Sequence, residues 1–316
     1  MKTILITGIG GDIAQGVATI LRRERPNARL IGIDIHDQHG GTLFVDECLV
    51  VPPAIDKRYL IAIKKIIHSK AVDVFIPMSE VELHALIPFI EELGSDKCIY
   101  PGSKVLKTGL DKYETVQRLK ELDLPVPWTH LVDKGQPEAY PCILKNRFGS
   151  GSRTVFTVED AEEAAYLAKK FPNAIYQELL EPAHREITCA VYRDRQGQTT
   201  SLLMLRRLTG GFTGWARVIE DQATSRMCAL IAEGLDLRGS MNVQLRLTDN
   251  GPRVFEINPR FSSTVLMRHS IGFTDVVWAI DEIEGRELSY PKIIPNSILV
   301  RVQNARVIES LDGVIQ

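Results

Sequence analysis

Little in this sequence could staple, anchor or strongly charge the chain. Its five cysteines (Cys48, Cys98, Cys142, Cys189 and Cys228) are odd in number, scattered, and never spaced as C-x-x-C. That excludes a disulfide framework and a cysteine-based zinc site, and it fits a reducing compartment. No apolar run reaches the roughly 18–20 residues that a membrane-spanning helix needs. The first residues run straight into a strand pattern, without the apolar core and small-residue cleavage site of a secretory signal. A cytoplasmic protein with no membrane partner is therefore expected. Charge of one sign is also lacking: the formal net charge is -2 and no basic stripe occurs, which argues against nucleic acid as a partner. There is no Walker A motif, and no Ser-His-Asp or Cys-His pairing for nucleophilic catalysis. What remains is 316 residues with 44% hydrophobic content, enough for two or three packed subdomains.

The most informative stretch is 241–260, M-N-V-Q-L-R-L-T-D-N-G-P-R-V-F-E-I-N-P-R. Two alternating runs flank Asp249-Asn250-Gly251, a strong hairpin signal. With Asn250 at the midpoint, Gln244 lies opposite Glu256 and Asn242 opposite Asn258. Because side chains alternate along a strand, all four then share one face. Met241, Val243, Leu245, Phe255 and Ile257 are expected on the other. A face bearing one carboxylate and several amide oxygens suits a hard cation such as Mg²⁺, which takes oxygen ligands and leaves positions for phosphates and water. Arg260, just beyond, is placed to hold a transferring phosphoryl group. The plain alternative is a solvated hairpin face.

The N-terminal third reads as a small parallel α/β domain, with strands at 2–7, 30–34, 72–77 and 98–100 and helices at 13–23, 59–69 and 81–93. The first strand ends in Gly8-Ile9-Gly10-Gly11-Asp12, and Asp34 follows at about the 20-residue distance of a dinucleotide fingerprint. The third glycine of that fingerprint falls on Ile13, so the motif is incomplete. A glycine turn that merely closes a βαβ unit explains the same residues. Ser79 and Glu80 follow a strand end, the side of such sheets where ligands sit, and are candidates for acceptor binding. His36-Asp37-Gln38-His39 has no third metal ligand at a recognisable spacing and reads as a surface loop.

In the middle of the chain, Asp111 is positioned to cap a helix running to about Leu122. Lys112 then sits in the first turn, where helix amides already favour phosphate. A strand at 142–145 carries Lys145 into Arg147-Phe148-Gly149-Ser150-Gly151-Ser152-Arg153. A strand lysine followed by a Gly/Ser loop is phosphate chemistry, with amides to wrap an anion and a point charge beside them. Further on, Gln177-Glu178-Leu179-Leu180 leaves a strand as a crossing segment. Its backbone can meet an adenine edge, with Leu179 and Leu180 as an apolar wall, His184 nearby, and Glu186 accepting from ribose hydroxyls. A strand at 202–208 carries Arg206 and Arg207 on opposite faces, so only one reaches the site. Gly210 to Gly214 forms a loop after it, and 224–233 is helical.

Taken in order, D-K-x-x-T, strand-Lys-x-x-x-Gly-Ser-Gly-Ser, Q-E-L-L-E, R-E-I-T, N-V-Q-L and F-E-I-N-P-R closely resemble the ATP-grasp superfamily, especially the branch like the carbamoyl-phosphate synthase large subunit. The resemblance runs from residue 2 to about 285. It implies an α/β fold: an N-terminal doubly wound parallel pre-ATP-grasp domain (1–105), then an ATP-grasp fold of two α+β subdomains (106–292, lid about 126–181), then a C-terminal strand and tail (293–316). By motif, Lys112 and Lys145 look like the ATP-phosphate lysines and Phe148 to Arg153, with Gly149, Ser150, Gly151 and Ser152, like the flexible lid loop. Gln177 to Leu180 and His184 take the adenine side, Glu186 the ribose. Gln244, Glu256 and Asn258 match the magnesium ligands, and Arg260 the arginine that stabilises the phosphorylated intermediate. Many relatives carry a lysine after the Arg206-Arg207 strand. Thr209-Gly210-Gly211-Phe212 stands here instead, so that clamp falls to an arginine, with Arg206 the candidate. There is one grasp unit and no glutaminase or second half, so the chain is not read as a carbamoyl-phosphate synthase.

The resemblance implies an ATP- and Mg²⁺- (or Mn²⁺-) dependent carboxylate-amine ligase that forms an acyl phosphate and releases ADP and phosphate. Its partners would be small-molecule carboxylates and amines, and by resemblance a second copy of the chain. Two rivals stand: an NAD-dependent oxidoreductase or epimerase on the N-terminal glycines, and a non-catalytic ATP-binding module. Acceptor contacts would come from Gly10 to Asp12, Ser79, Glu80, Phe212 to Trp215 and Ser262 to Thr264. Arg268 and Trp215 would clamp an acid and an apolar body, or else serve as a structural salt bridge and a core indole.

Overall fold

The computed structural model describes residues 2–94, 96–149 and 154–302. Three sheets organise it. In the N-terminal sheet, β1 (Thr3–Thr7), β2 (Arg29–Asp34), β3 (Glu47–Val50) and β4 (Val74–Ile76) are parallel in the order β3-β2-β1-β4. The continuous apolar runs of β1 and β4 follow from this, since helices cover both faces and every residue of these strands is buried. The expected strand at 98–100 is only a single bridge from Cys98 to Phe75. The expected helix at 81–93 is interrupted: Glu80–Leu86, a 3₁₀ turn at Ile87–Phe89 and Ile90–Gly94 succeed one another. Pro88 lies in that turn, and proline has no N–H for an α-helical bond and crowds the preceding turn.

The second sheet, β5 (Thr129–Leu131), β6 (Cys142–Asn146), β7 (Val155–Val158) and β8 (Ala174–Glu178), is antiparallel in the order β5-β8-β6-β7. It has its own small core, where Cys142, Leu144, Val158 and Tyr176 pack on Ala164 and Leu167 of the helix Ala161–Lys170. The third sheet is antiparallel throughout. It comprises β9 (Glu186–Arg193), β10 (Thr199–Thr209), β11 (Phe212–Ile219), β12 (Gly239–Thr248), β13 (Gly251–Asn258) and β14 (Ile298–Val300), ordered β13-β12-β9-β10-β11-β14. Met241, Val243 and Leu245 alternate into a core shared with the helices Lys112–Glu121 and Gln222–Gly234. Among the described residues no helix is long and apolar enough to cross a membrane. All five cysteines are free thiols, four of them buried.

The N-terminal sheet is not a separate bead. Phe261, Val265, Val276 and Ile280 share one core with Ile4, Ile6, Val17 and Leu21. The helix Asp12–Glu24 approaches Val265–His269 so closely that a Cβ at Gly16 would lie 3.0 Å from Val265 Cγ1. Nearby, Arg268 and Asp275 are each 1% exposed and form a bidentate pair, Nε to Oδ1 at 2.9 Å and Nη2 to Oδ2 at 2.6 Å. Arg268 Nη1 also donates to the hydroxyls of Ser262 and Thr264. Arg268 is thus a structural salt bridge and is not free to clamp a substrate. Removing one member of such a pair strands a buried charge, so Arg268→Ala is expected to cost about 3–5 kcal/mol in urea unfolding. A change under 1 kcal/mol would contradict the account, on the order of what a surface pair contributes.

Candidate active site

The cleft opens between the sheet β5–β8 and the sheet β9–β14, with a volume of about 710 Å³. Its floor is the β12–β13 hairpin. There Gln244 pairs with Glu256 and Asn242 with Asn258, as the alternation predicts. The turn, however, is Asp249-Asn250 closed by Thr248 and Gly251, half a residue from the expected midpoint. A bulge restores the register, because Leu245 pairs with Val254 while Gln244 pairs with Glu256, leaving Phe255 unpaired. The bulge corrects one expectation. Val254, fully buried, takes the core position expected of Phe255, while Phe255 turns with Glu256 to line the cleft.

Lys112 and Lys145 come to this floor from different directions. Asp111 caps the helix by accepting from the N–H groups of Tyr113 and Glu114, and its carboxylate also holds Arg147. The backbone of Lys112 donates to Arg147 O, sewing the helix start to the end of β6. Lys112 Nζ then donates to Gly149 O and lies 3.5 Å from Glu256 Oε1. Lys145, only 7% exposed, donates to Phe255 O at 3.3 Å, with its ammonium 5.3 Å from the Phe255 ring centre. Burial pulls the Lys145 pKa down to about 8, and Lys112 and Arg246 push the same way, against the raising fields of Glu256 and Glu186.

Glu186 sits between two arginines. Arg206 donates Nε and Nη2 to Oε1 at 2.9 and 2.6 Å, and Arg246 donates Nη2 to Oε2 at 2.6 Å. Arg206 Nη2 also reaches Gln244 Oε1 at 3.0 Å. The open choice in the arginine pair is thereby resolved: Arg206 faces the cleft, and Arg207 lies over Trp215, its guanidinium 5.7 Å from the ring centre. Arg246 was not among the site residues expected from the sequence, although strand alternation from Gln244 puts it on the same face. It also donates to Leu180 O, tying the floor to the crossing segment.

At the far end, Arg260 Nη2 bonds Glu80 Oε1 at 2.9 Å and Asn258 Oδ1 at 3.3 Å, and Nη1 bonds Phe261 O. Glu80 belongs to the N-terminal sheet's helix Glu80–Leu86, and its neighbour Ser79 is committed to capping that helix through Glu82. Lys112, Lys145, Gly149, Gln177, Glu178, Leu179, Leu180, Glu186, Arg206, Gln244, Glu256, Asn258 and Arg260 therefore all line one cleft. His184 does not join them. It lies exposed in the 3₁₀ turn Ala183–Arg185, because Pro182 and that turn carry it outward before β9 begins. Ser150, Gly151 and Ser152 lie outside the described residues.

Five cations line the cleft (Lys112, Lys145, Arg206, Arg246 and Arg260) against three carboxylates (Glu178, Glu186 and Glu256), an excess of two positive charges among the described residues. That balance suits a polyanion. Glu256, Gln244 and Asn258 offer only oxygen ligands, one of them anionic, which fits a magnesium ion that also coordinates phosphate and does not fit a thiophilic metal. Glu186 has used three of the roughly four lone-pair positions of a carboxylate, so one remains for a hydroxyl donor.

The N-terminal glycine turn is closed by its own chain. Gly10 N–H donates to Asp34 Oδ2 at 2.7 Å, and a Cβ at Gly10 would lie 2.7 Å from the His39 ring. Asp34, the residue a dinucleotide ribose would need, is thus engaged, which counts against the oxidoreductase reading.

No curated protein matches the sequence. Among solved structures, the ADP complex of N5-carboxyaminoimidazole ribonucleotide synthetase is 19% identical, with a TM-score of 0.77 over 95% of this chain and 81% of that one. L-amino acid ligase from Bacillus licheniformis is 17% identical, with a TM-score of 0.72 over 90% and 74%. Biotin carboxylase from Campylobacter jejuni, in a β,γ-ATP complex, is 18% identical, with a TM-score of 0.72 over 94% and 74%. At these identities the likeness is one of fold. The family model for the ATP-grasp domain matches residues 110–264, the segment that supplies every residue lining the cleft except Ile13 and Val81, and this part of the chain belongs to the ATP-grasp family.

Proposed function

We propose that the protein is an ATP- and Mg²⁺-dependent ligase that activates a carboxylate as an acyl phosphate and joins it to an amine. The observation that carries this reading is the convergence of Lys112, Lys145, Arg206, Arg260 and the oxygen set Gln244, Glu256 and Asn258 on one cleft floor. The similar structures include an L-amino acid ligase and an ADP complex, which agrees with it.

The residues divide the work along the cleft. Leu179, Leu180, Ile143 and Val155 give an apolar slot for a purine, and Glu186 retains a position for a ribose hydroxyl. Lys112 and Lys145 hold the phosphates. Gln244, Glu256 and Asn258 would hold Mg²⁺, which when bound neutralises charge on the transferring phosphoryl group. In the first step a substrate carboxylate oxygen attacks the γ-phosphorus, the bond from that phosphorus to the β-bridging oxygen breaks, and ADP leaves with the electron pair. In the second, an amine attacks the acyl carbon, the carbon–oxygen bond to phosphate breaks, and the amine loses a proton. Arg206 and Arg260 bring fixed positive charge to the oxygens that gain negative charge, an electrostatic contribution that needs no protein nucleophile.

The direct test is ADP release with pools of carboxylates, using hydroxylamine as the amine so that an acyl phosphate is trapped as a hydroxamate. Wild type should give hydroxamate and ADP in equal amounts, and Glu256→Gln should lose about 10²-fold or more, the scale of one preorganised electrostatic contact. Binding of ATP without turnover on any pool would instead favour a nucleotide-binding module.

Lys145 yields a second expectation. Its folded value of about 8 lies below the ordinary 10.5, so between those pH values the unfolded chain holds a proton that the folded one lacks. Its contribution to stability therefore rises with pH across that window. Phosphate binding must restore the proton, so ADP affinity should fall above pH 8, approaching about tenfold per pH unit, with proton uptake visible by calorimetry in buffers of different ionisation enthalpy. Lys145→Met should abolish both pH dependences. Affinity that is flat from pH 7 to 9 in wild type would overturn this assignment.

A further inference from the structure

Beyond Arg260 the cleft continues toward the N-terminal sheet, and its character changes. Ile13, Val81, Leu208 and Phe212 line this end. Three of them are unusually bare for large apolar side chains: Val81 is 55% exposed, Leu208 47% and Phe212 43%. They come from three separate elements, the helix Asp12–Glu24, the helix Glu80–Leu86 and the β10–β11 hairpin, yet they face one space. An apolar wall of this kind is stabilised when a ligand covers it.

At its base Arg260 lines the cleft, and Glu80 lies against it, Oε1 2.9 Å from Nη2, with side chains only 11% and 9% exposed. Arg260 has five N–H donors, and three are used by Glu80, Asn258 and Phe261. Two remain for a carboxylate. A simple carboxylic acid binding there would bring its anion against Glu80 as well as to Arg260, and like charges at that range repel. A zwitterion avoids the conflict, because its carboxylate meets Arg260 while its ammonium meets Glu80.

We propose that this end of the cleft takes an α-amino acid with an apolar side chain as the carboxylate to be activated. Arg260 holds its carboxylate, Glu80 its α-ammonium, and Ile13, Val81, Leu208 and Phe212 its side chain. This rests on the ligase reading and adds the class of the acid. Held by Glu80, the α-amino group stays protonated and is not the nucleophile, so the amine that attacks the acyl phosphate belongs to a second molecule.

The test uses the full chain with Mg²⁺ and ATP, trapping with hydroxylamine, and compares L-leucine with 4-methylpentanoate, which lacks only the amino group, and with L-glutamate. Hydroxamate formation from L-leucine should exceed both by about tenfold or more in kcat/KM, the scale of one charge-assisted hydrogen bond. Glu80→Gln should raise KM for L-leucine and close the gap to 4-methylpentanoate. Phe212→Ser should close the gap to L-glutamate. Equal or better use of 4-methylpentanoate overturns the zwitterion, and equal or better use of L-glutamate overturns the apolar wall, while the ligase reading survives either result. If no acid yields hydroxamate, the ligase reading fails, and calorimetric titration of L-leucine into the ADP-bound protein decides the site by itself. Binding that Glu80→Gln abolishes supports the site, and absence of binding in wild type overturns it.

Discussion

Five cations facing one cleft repel each other, and the site depends on how that repulsion is held in check before any ligand arrives. Glu186 bridges Arg206 and Arg246, Glu256 stands near Lys112, and Glu80 holds Arg260. Each carboxylate sits on a different element: β9, β13 and the helix Glu80–Leu86. Lys145 instead relies on a carbonyl and a ring face, and burial depresses its pKa despite the opposing fields of Glu256 and Glu186. Charges set in advance at fixed positions in a partly dry cleft need little reorganisation when a phosphate enters. The fold can therefore be read as a means of bringing opposite charges from distant parts of the chain to one floor.

Much of that floor was legible because it obeys local periodicity. Gln244, Glu256, Asn242 and Asn258 could be paired from the D-N-G turn and strand alternation alone. Arg246 shares that face by the same alternation, but a charged residue near a hairpin end reads as solvated until its partners are known. The bulge at Phe255 was not legible, because a one-residue insertion leaves no trace in a pattern of apolar residues that already includes Val254, Phe255 and Ile257. Neither was the pairing of Glu80 with Arg260, which joins residues far apart in sequence. The loop expected at 210–214 is instead a tight turn at Gly210-Gly211 from which the eight-residue β11 starts at Phe212, and short elements were also lost. β3, β5 and β7 have three or four residues each, too few to show a period.

The glycine turn shows the opposite error that sequence reading invites. Gly8 to Asp12 and Asp34 have nearly the spacing of a dinucleotide site, and the incomplete third glycine was the only warning in the sequence. In the structure His39 and Asp34 close the turn from outside, while Arg301 bonds Asp12 and the carbonyls of Thr213 and Ser263. The N-terminal sheet thus contributes through its edges. Val81 reaches into the cleft from one strand end and Ile13 from another, Glu80 holds Arg260 beside them, and the core shared with Val265 and Val276 fixes where those edges lie.

The unpaired Phe255 divides the hairpin into two reading frames. On the turn side, Thr248 to Gly251 through Leu245 to Val254 keep one count; on the cleft side, Gln244 to Glu256 and Asn242 to Asn258 keep another. The loop end can thus adopt the cheapest two-residue turn while the ligand end obeys the core beneath Val243 and Ile257, and neither has to compromise for the other. In mechanical terms the bulge is a coupling with slack, so a slip at the exposed turn need not reach the oxygen atoms that the cleft presents.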